Sequence, residues 1–252
     1  MIESKSGIFL IAGLGTFALA FASNALLPIL MYRHLPEKTA RETVNFRVMT
    51  HFQDLYRRYP EQFEKHLAPD LPDSIRQGLK NPDLDQRALY LFDKNEEAAK
   101  DLCASTLKVG RKAYVGEACW HCHSQFIRPV SNESRRWGEV SKSWEYQNEL
   151  QRPVMFGTRR VGPDLSRETN RRGNDWHFVH LLRPKDTTPE SVMPEYPWFF
   201  DADENNKANS RLPNRRGLAI ILYMQWLGSE HAALDHSGDG VRTTLDFSDT
   251  LR

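Results

Sequence analysis

Two cysteines three positions apart, with a histidine directly after the second, stand in "GEACWHCHSQFIRP", residues 116–129: Cys119, Cys122 and His123. Three chemistries use such a run. Two thiols can form thioethers with the two vinyl groups of a haem while the adjacent imidazole takes the iron from one face. The two-residue gap lets both sulfurs reach the porphyrin edge from one turn of chain. The same pair is also half of a tetrahedral zinc site, or a redox dithiol.

The other residues weigh these readings. A structural zinc site wants four ligands, usually through a second C-x-x-C or H-x-H pair, and only Cys103 and scattered histidines remain to complete it. A thioredoxin-like dithiol needs a βαβ setting, whereas the surroundings read as helical and irregular. Covalent haem is therefore the favoured reading, with zinc second. Three cysteines are too few and too odd in number for a disulfide framework, and Cys103 reads as a buried, inert thiol. His121, between the cysteines, points away from the iron in the haem reading and is expected to be exposed.

A six-coordinate iron needs a second axial ligand, and a thioether there raises the reduction potential. Of six methionines, Met1 and Met31 belong to the N-terminal apolar run, Met49 to a helical segment and Met224 to the last helix. Met155 and Met193 remain. Met193 lies in "PESVMPEYPW", where prolines stiffen an extended loop, so it is preferred over Met155, with His177 and His180 behind both.

These residues need elements to position them. The formal charge of the 252 residues is +1, so no basic surplus argues for nucleic acid. Residues 8–31 carry no charged side chain and are long enough to cross ~30 Å of hydrocarbon as a helix. The alternative, a cleaved signal peptide with "AFAS" at the cut, is disfavoured because apolar sequence continues past it. Residues 1–34 are thus expected to be a retained transmembrane anchor, with everything downstream exported.

Residues 35–104 form a charged segment of helical period, with Val44, Phe46, Val48, Phe52, Leu55 and Tyr56 along one side of a helix ending near Pro60. His51 and His66 read as solvated surface histidines. Shorter helices follow at "SIRQGL" and "DQRALYLFDKNEEAAKDLCAS", then one over 105–118 that runs into the cysteine motif. Residues 129–175 look loop-rich, a wrap that a large buried prosthetic group would organise. Helix returns briefly at 175–182 and again at 215–230, ahead of a polar tail over 231–252.

Taken together, "GEACWHCHSQFIRPV", "GTRRVGPDLSRE", "DWHFVHLLRP" and "PESVMPEYPW" resemble the membrane-anchored mono-haem cytochrome c subunit, subunit II, of cbb3-type cytochrome c oxidases. The likeness covers the anchor and roughly residues 105–230, read as a mono-haem cytochrome c domain. It implies a mostly α chain: one N-terminal transmembrane helix plus a class I cytochrome c-like haem domain with long irregular loops. One covalent haem c is implied, with His123 and Met193 as axial ligands. Pro163 would offer its carbonyl to the far nitrogen of His123, and Leu165 would pack on the haem face. Arg128, Arg159 and Arg160 would pair with haem propionates or with the large subunit, and Gly110 and Tyr114 would meet the last helix near Tyr223.

The same resemblance implies electron transfer rather than bond-making chemistry. The donor would be a neighbouring or soluble cytochrome c, and the acceptor a haem-copper catalytic membrane subunit that reduces oxygen to water with proton pumping. The haem domain would lie on the periplasmic side of a bacterial inner membrane, on a single-pass anchor. A nitric-oxide-reductase-like complex is the alternative; a membrane-tethered haem sensor and a zinc scaffold are further rivals. One departure stands out: residues 35–104 have no counterpart in the short linker of that family.

Overall fold

The computed structural model describes residues 2–33, 36–202 and 211–236. The chain divides into two units, Met1–Glu37 and Lys38–Arg252, and it is mostly helical.

The first unit is α1 (Ile2–Phe21), a π-helical turn (Ala22–Leu26) and α2 (Leu27–Tyr32). The wide turn sits just ahead of Pro28. That residue has no N–H, and its ring would crowd the carbonyl four residues back, so loosening the helix there relieves the clash. Ser6–Tyr32 is long and apolar enough to cross a membrane.

The second unit contains α3 (Phe46–Arg58), α4 (Pro60–His66), α5 (Asp73–Gly78), α6 (Leu84–Leu89), α7 (Glu96–Gly116), α8 (Glu133–Trp137), α9 (Asn174–Leu182), α10 (Pro184–Thr187), α11 (Arg215–Trp226) and α12 (Ser229–His236). A two-stranded antiparallel ribbon joins β1 (Phe200–Ala202) to β2 (Arg211–Pro213), with Phe200 opposite Pro213. Helix α12 carries regular structure into the start of the expected tail; residues 237–252 lie outside those described.

Helix α11 is the centre, with every residue from Gly217 to Trp226 buried. Asn214 starts it, its side-chain oxygen accepting from the N–H groups of Arg216 (3.0 Å) and Gly217 (3.2 Å). Helix α7 crosses it at Gly110, where a Cβ would lie 2.2 Å from the Ala219 carbonyl oxygen. Only a residue without a side chain permits that approach. One turn on, the Tyr114 and Tyr223 rings sit 5.6 Å apart, the crossing that the resemblance implied.

Helix α3 buries Val48, Phe52, Leu55 and Tyr56, positions that recur on one face at the helical period. Phe52, Tyr56, Phe63 and Phe92 form an aromatic cluster with centroids 4.9–6.5 Å apart. Phe46, expected on this face, is 69% exposed. Asn45 caps the helix through the N–H groups of Arg47 and Val48, which puts Phe46 at the first helical position, turned away from the core. Val44 is buried ahead of the helix rather than in it. His51 and His66, expected at the surface, are half-buried. The first meets Asn170 at 2.8 Å and the second lies 3.3 Å from Asp201.

The expected helix over 85–105 breaks at Asn95: its first half is α6 and a π-helical turn, Tyr90–Lys94, and its second half is continuous with the helix expected over 105–118 as α7, so the expected boundary at 104/105 falls inside α7. The segment from residue 38 is also tied to the loop-rich part and to α11. The Lys38 N–H donates to the Gln147 carbonyl (2.9 Å), Glu149 N–H to the Lys38 carbonyl (3.0 Å), and Trp226 Nε1–H to Thr43 Oγ1 (3.0 Å).

Candidate functional site

Helix α7 ends where Ala118 turns left-handed (φ 55°), and a single 3₁₀ turn, Cys119–His121, follows. Within it the N–H of Cys122 and that of His123 both donate to the Cys119 carbonyl, at 3.2 and 3.0 Å. The two sulfurs and the imidazole thus hang from one tight turn. Both line a cavity of about 580 Å³ together with His123, within the range of sites that enclose a small organic group.

The turn is held by a second strand of chain. Arg159 N–H donates to the His121 carbonyl (2.8 Å), Gly162 N–H to that of Cys122 (3.0 Å), and Leu165 N–H to that of Ser124 (2.9 Å). Asp164 closes the arrangement, accepting from Ser124 Oγ, from the Phe126 N–H (3.1 Å) and from the Ser166 N–H (2.8 Å). Gln125 is fixed from the other side, its side-chain oxygen accepting from Tyr223 Oη at 3.2 Å.

His123 is oriented completely. Its Nδ1 lies 2.9 Å from the Pro163 carbonyl oxygen. A carbonyl only accepts, so Nδ1 carries the hydrogen and Nε2 keeps its lone pair. Gly162 lies so close under the ring that a Cβ would sit 2.3 Å from Cε1. Burial lowers the pKa of His123 despite the Pro163 carbonyl, which favours its protonated form, so the imidazole is neutral and able to donate a lone pair to a metal.

Leu165, Met193, His177 and His180 line the same cavity, whereas Met155 does not. Met155 sits in the hydrophobic core, and its carbonyl accepts from the Gln125 N–H at 2.7 Å. Met224, set aside on sequence as a helix-core residue, lines the cavity too, one turn after Ile220; the i, i+4 pairing with Ile220 was the available signal.

Arg128, Arg159 and Arg160 do not line it. Arg160 grips Glu133 through both terminal nitrogens and reaches Ser124 Oγ at 3.1 Å. Arg128 lies 3.8 Å from the same Glu133, and the Arg159 side chain is exposed. The arginine at the cavity is Arg172. Gly162 and Asp164 were also missed, although both sit in the quoted "VGPDL".

Burial pushes the Cys119 thiol up to about 12, the opposite of the depressed value that a redox dithiol or a thiolate metal ligand uses. Among the described residues, no three His, Cys, Asp or Glu side chains cluster as metal ligands. Cys103 is fully buried and away from the cavity. His121 is exposed and stacks on Trp120 at 4.1 Å.

A cavity that presents paired thiols, an oriented neutral imidazole and thioethers fits an electron-transfer domain of the haem-bearing kind. Residues 90–225, more than half of the chain, match the family described as cytochrome c oxidase, mono-heme subunit/FixO, and the chain belongs to that family. The protein is therefore a haem-containing, electron-transferring subunit of a respiratory cytochrome c oxidase, with a catalytic subunit as its partner. The apolar helix Ser6–Tyr32 fits membrane anchoring. A search of the curated proteins finds no match.

Proposed function

We propose that one haem c is bound through thioethers to Cys119 and Cys122, with His123 and Met193 as its axial ligands, and that it relays electrons from a cytochrome c to the large haem-copper subunit. The haem supplies a one-electron iron couple. His123 holds its Nε2 lone pair ready because the Pro163 carbonyl and Gly162 fix the ring. Met193, on its proline-bounded loop, offers a soft sulfur into the same cavity. Leu165, Tyr196 and Ile220 exclude water from the cavity walls, which favours the less charged, reduced pair. Arg159, with its exposed side chain, is available to the large subunit.

The acceptor reduces oxygen to water with proton pumping, and the soluble domain faces the periplasm of a bacterial inner membrane because thioether attachment takes place outside the cytoplasm. The observation that carries the reading is the His123 ring, locked by Pro163 and Gly162 in a cavity that also holds both cysteines. Intact mass spectrometry of the denatured full-length chain is the test. Chain mass plus one haem is expected, and the bare chain mass would overturn the assignment. For the complex, oxygen consumption with reduced cytochrome c is expected; turnover of nitric oxide but not oxygen would transfer the subunit to the other haem-copper class.

A further inference from the structure

The cavity has one polar corner that electron transfer through its iron does not use. Glu168 is 7% exposed and His177 is 5% exposed, and both line the cavity. Glu168 Oε1 lies 3.8 Å from His177 Nε2, too far for a hydrogen bond. His177 Nε2 is a buried nitrogen with no hydrogen-bond partner. A carboxyl and an imidazole have thus been buried side by side at the cavity wall without being joined.

We infer that Glu168, beside His177, is a proton-binding site coupled to the redox state of the iron: it releases its proton when the iron is oxidised and recovers it on reduction. The inference rests on the haem reading above. The balance is simple. Loss of one electron from the iron adds one positive charge to the cavity; Glu168–COOH becomes carboxylate, and its proton leaves to solvent. The electron goes to the oxidase acceptor, and re-reduction by the donor cytochrome reverses both steps.

Electrostatics supports the geometry. Burial pushes the Glu168 carboxyl up to about 7, against the pull of Arg171 and Arg172, so near neutrality both protonation states are populated. His177 is held down to about 3, first by burial and then by His180, His51 and Arg172. It is neutral and offers the carboxylate no counter-charge. The titratable groups facing the pair are Arg171 and Arg172 on its own loop, His180 from α9 and His51 from α3. Across the cavity stand Glu117 and Glu190. From α11, Met224 and Gln225, which donates to the Arg172 carbonyl at 2.8 Å, do not titrate. A positive charge arriving at the iron then favours the ionised carboxylate, so the Glu168 pKa is lower in the oxidised protein. The sign for the potential follows: raising pH stabilises the oxidised form and lowers the midpoint.

Potentiometric titration of the full-length protein on both sides of neutrality, with haem mass verified first, tests this. The wild-type midpoint is expected to fall with rising pH, its slope climbing toward the one-electron limit of about 59 mV per tenfold change in proton concentration. Glu168→Gln is expected to flatten that slope while haem mass and visible spectrum stay as in the wild type. Glu168→Asp is expected to keep the slope with its pH position moved. A flat wild-type profile, or a Glu168→Gln profile as steep as the wild type, overturns the inference while leaving the haem assignment intact. Absence of haem mass overturns both.

Discussion

Two parts of the same compact unit solve the problem of holding a shape in opposite ways. Around α3, α4 and α6 the chain is filled by its own side chains: Phe52, Tyr56, Phe63, Leu55 and Leu91 are fully buried, and the Phe63 ring packs against those of Phe52 and Tyr56. Between Cys119 and Tyr196 long elements are absent, and the buried side chains of Leu165, Leu181 and Tyr196 wall a cavity of about 580 Å³. There, order comes from polar pins: Asp164 on Ser124 and two backbone N–H groups, and Arg167 forked onto Glu145 at 2.6 and 2.9 Å. The first region rests chiefly on packing, with the Asn45 cap and the contacts of Tyr56 and Arg87 to Glu64 added, whereas the second is shaped to receive something else. Regular packing and ligand reception are thus separated within one fold.

The sharpest way to break the contrast is to remove the attachment. In the double variant Cys119→Ser, Cys122→Ser, the haem mass is expected to vanish from the denatured chain. Amide hydrogen exchange of residues 117–196 should accelerate, while that of α3 and α4 stays slow. Equal acceleration in both regions would show that the aromatic cluster also depends on the haem.

Phe52→Ala attacks the other side. It is expected to cost about 3–5 kcal/mol in denaturant unfolding and to leave the haem potential unchanged. A shifted potential would mean that the two regions are electrically linked.

Met193→Ala is expected to leave haem attached and to drop the potential by on the order of 100 mV, a fraction of the ~0.8 V that axial ligands span. An unchanged potential would hand the ligand role to Met224, His177 or His180, which share the cavity. Smallest is Asn45→Ala, which removes the α3 cap; about 1 kcal/mol of lost stability is expected, read as a lower urea midpoint with the potential unmoved.

What could be read from the sequence follows the same division. Cys119, Cys122 and His123 announce themselves by spacing, and Pro163, Leu165 and Met193 came with the quoted motifs; the structure brings all six to one cavity or to the ring that faces it. The α3 face was legible because Val48, Phe52, Leu55 and Tyr56 recur at the helical period. Phe46 was misplaced because periodicity carries no information on where a helix begins, and the Asn45 cap decides that. The arginines illustrate the opposite case. Arg128 and Arg160 sit near the motif in sequence but are drawn to Glu133, while Arg172 reaches the cavity through a loop whose path no local pattern specifies. Glu168 and His177 were illegible as a pair, since their proximity depends on α9 packing beside α11.

Helix α7 carries a practical consequence. At 21 residues it is a rod of about 30 Å, its early turns buried through Ala99, Leu102 and Cys103 and its last turn opening onto the cysteines. Trimming the gene to start at residue 105, the boundary expected from sequence alone, would saw off about two and a half turns. It would also strip the cover from Leu107 and the α11 surface, leaving a sticky face in water. Anyone wanting the smallest haem-bearing piece should therefore begin near Lys38.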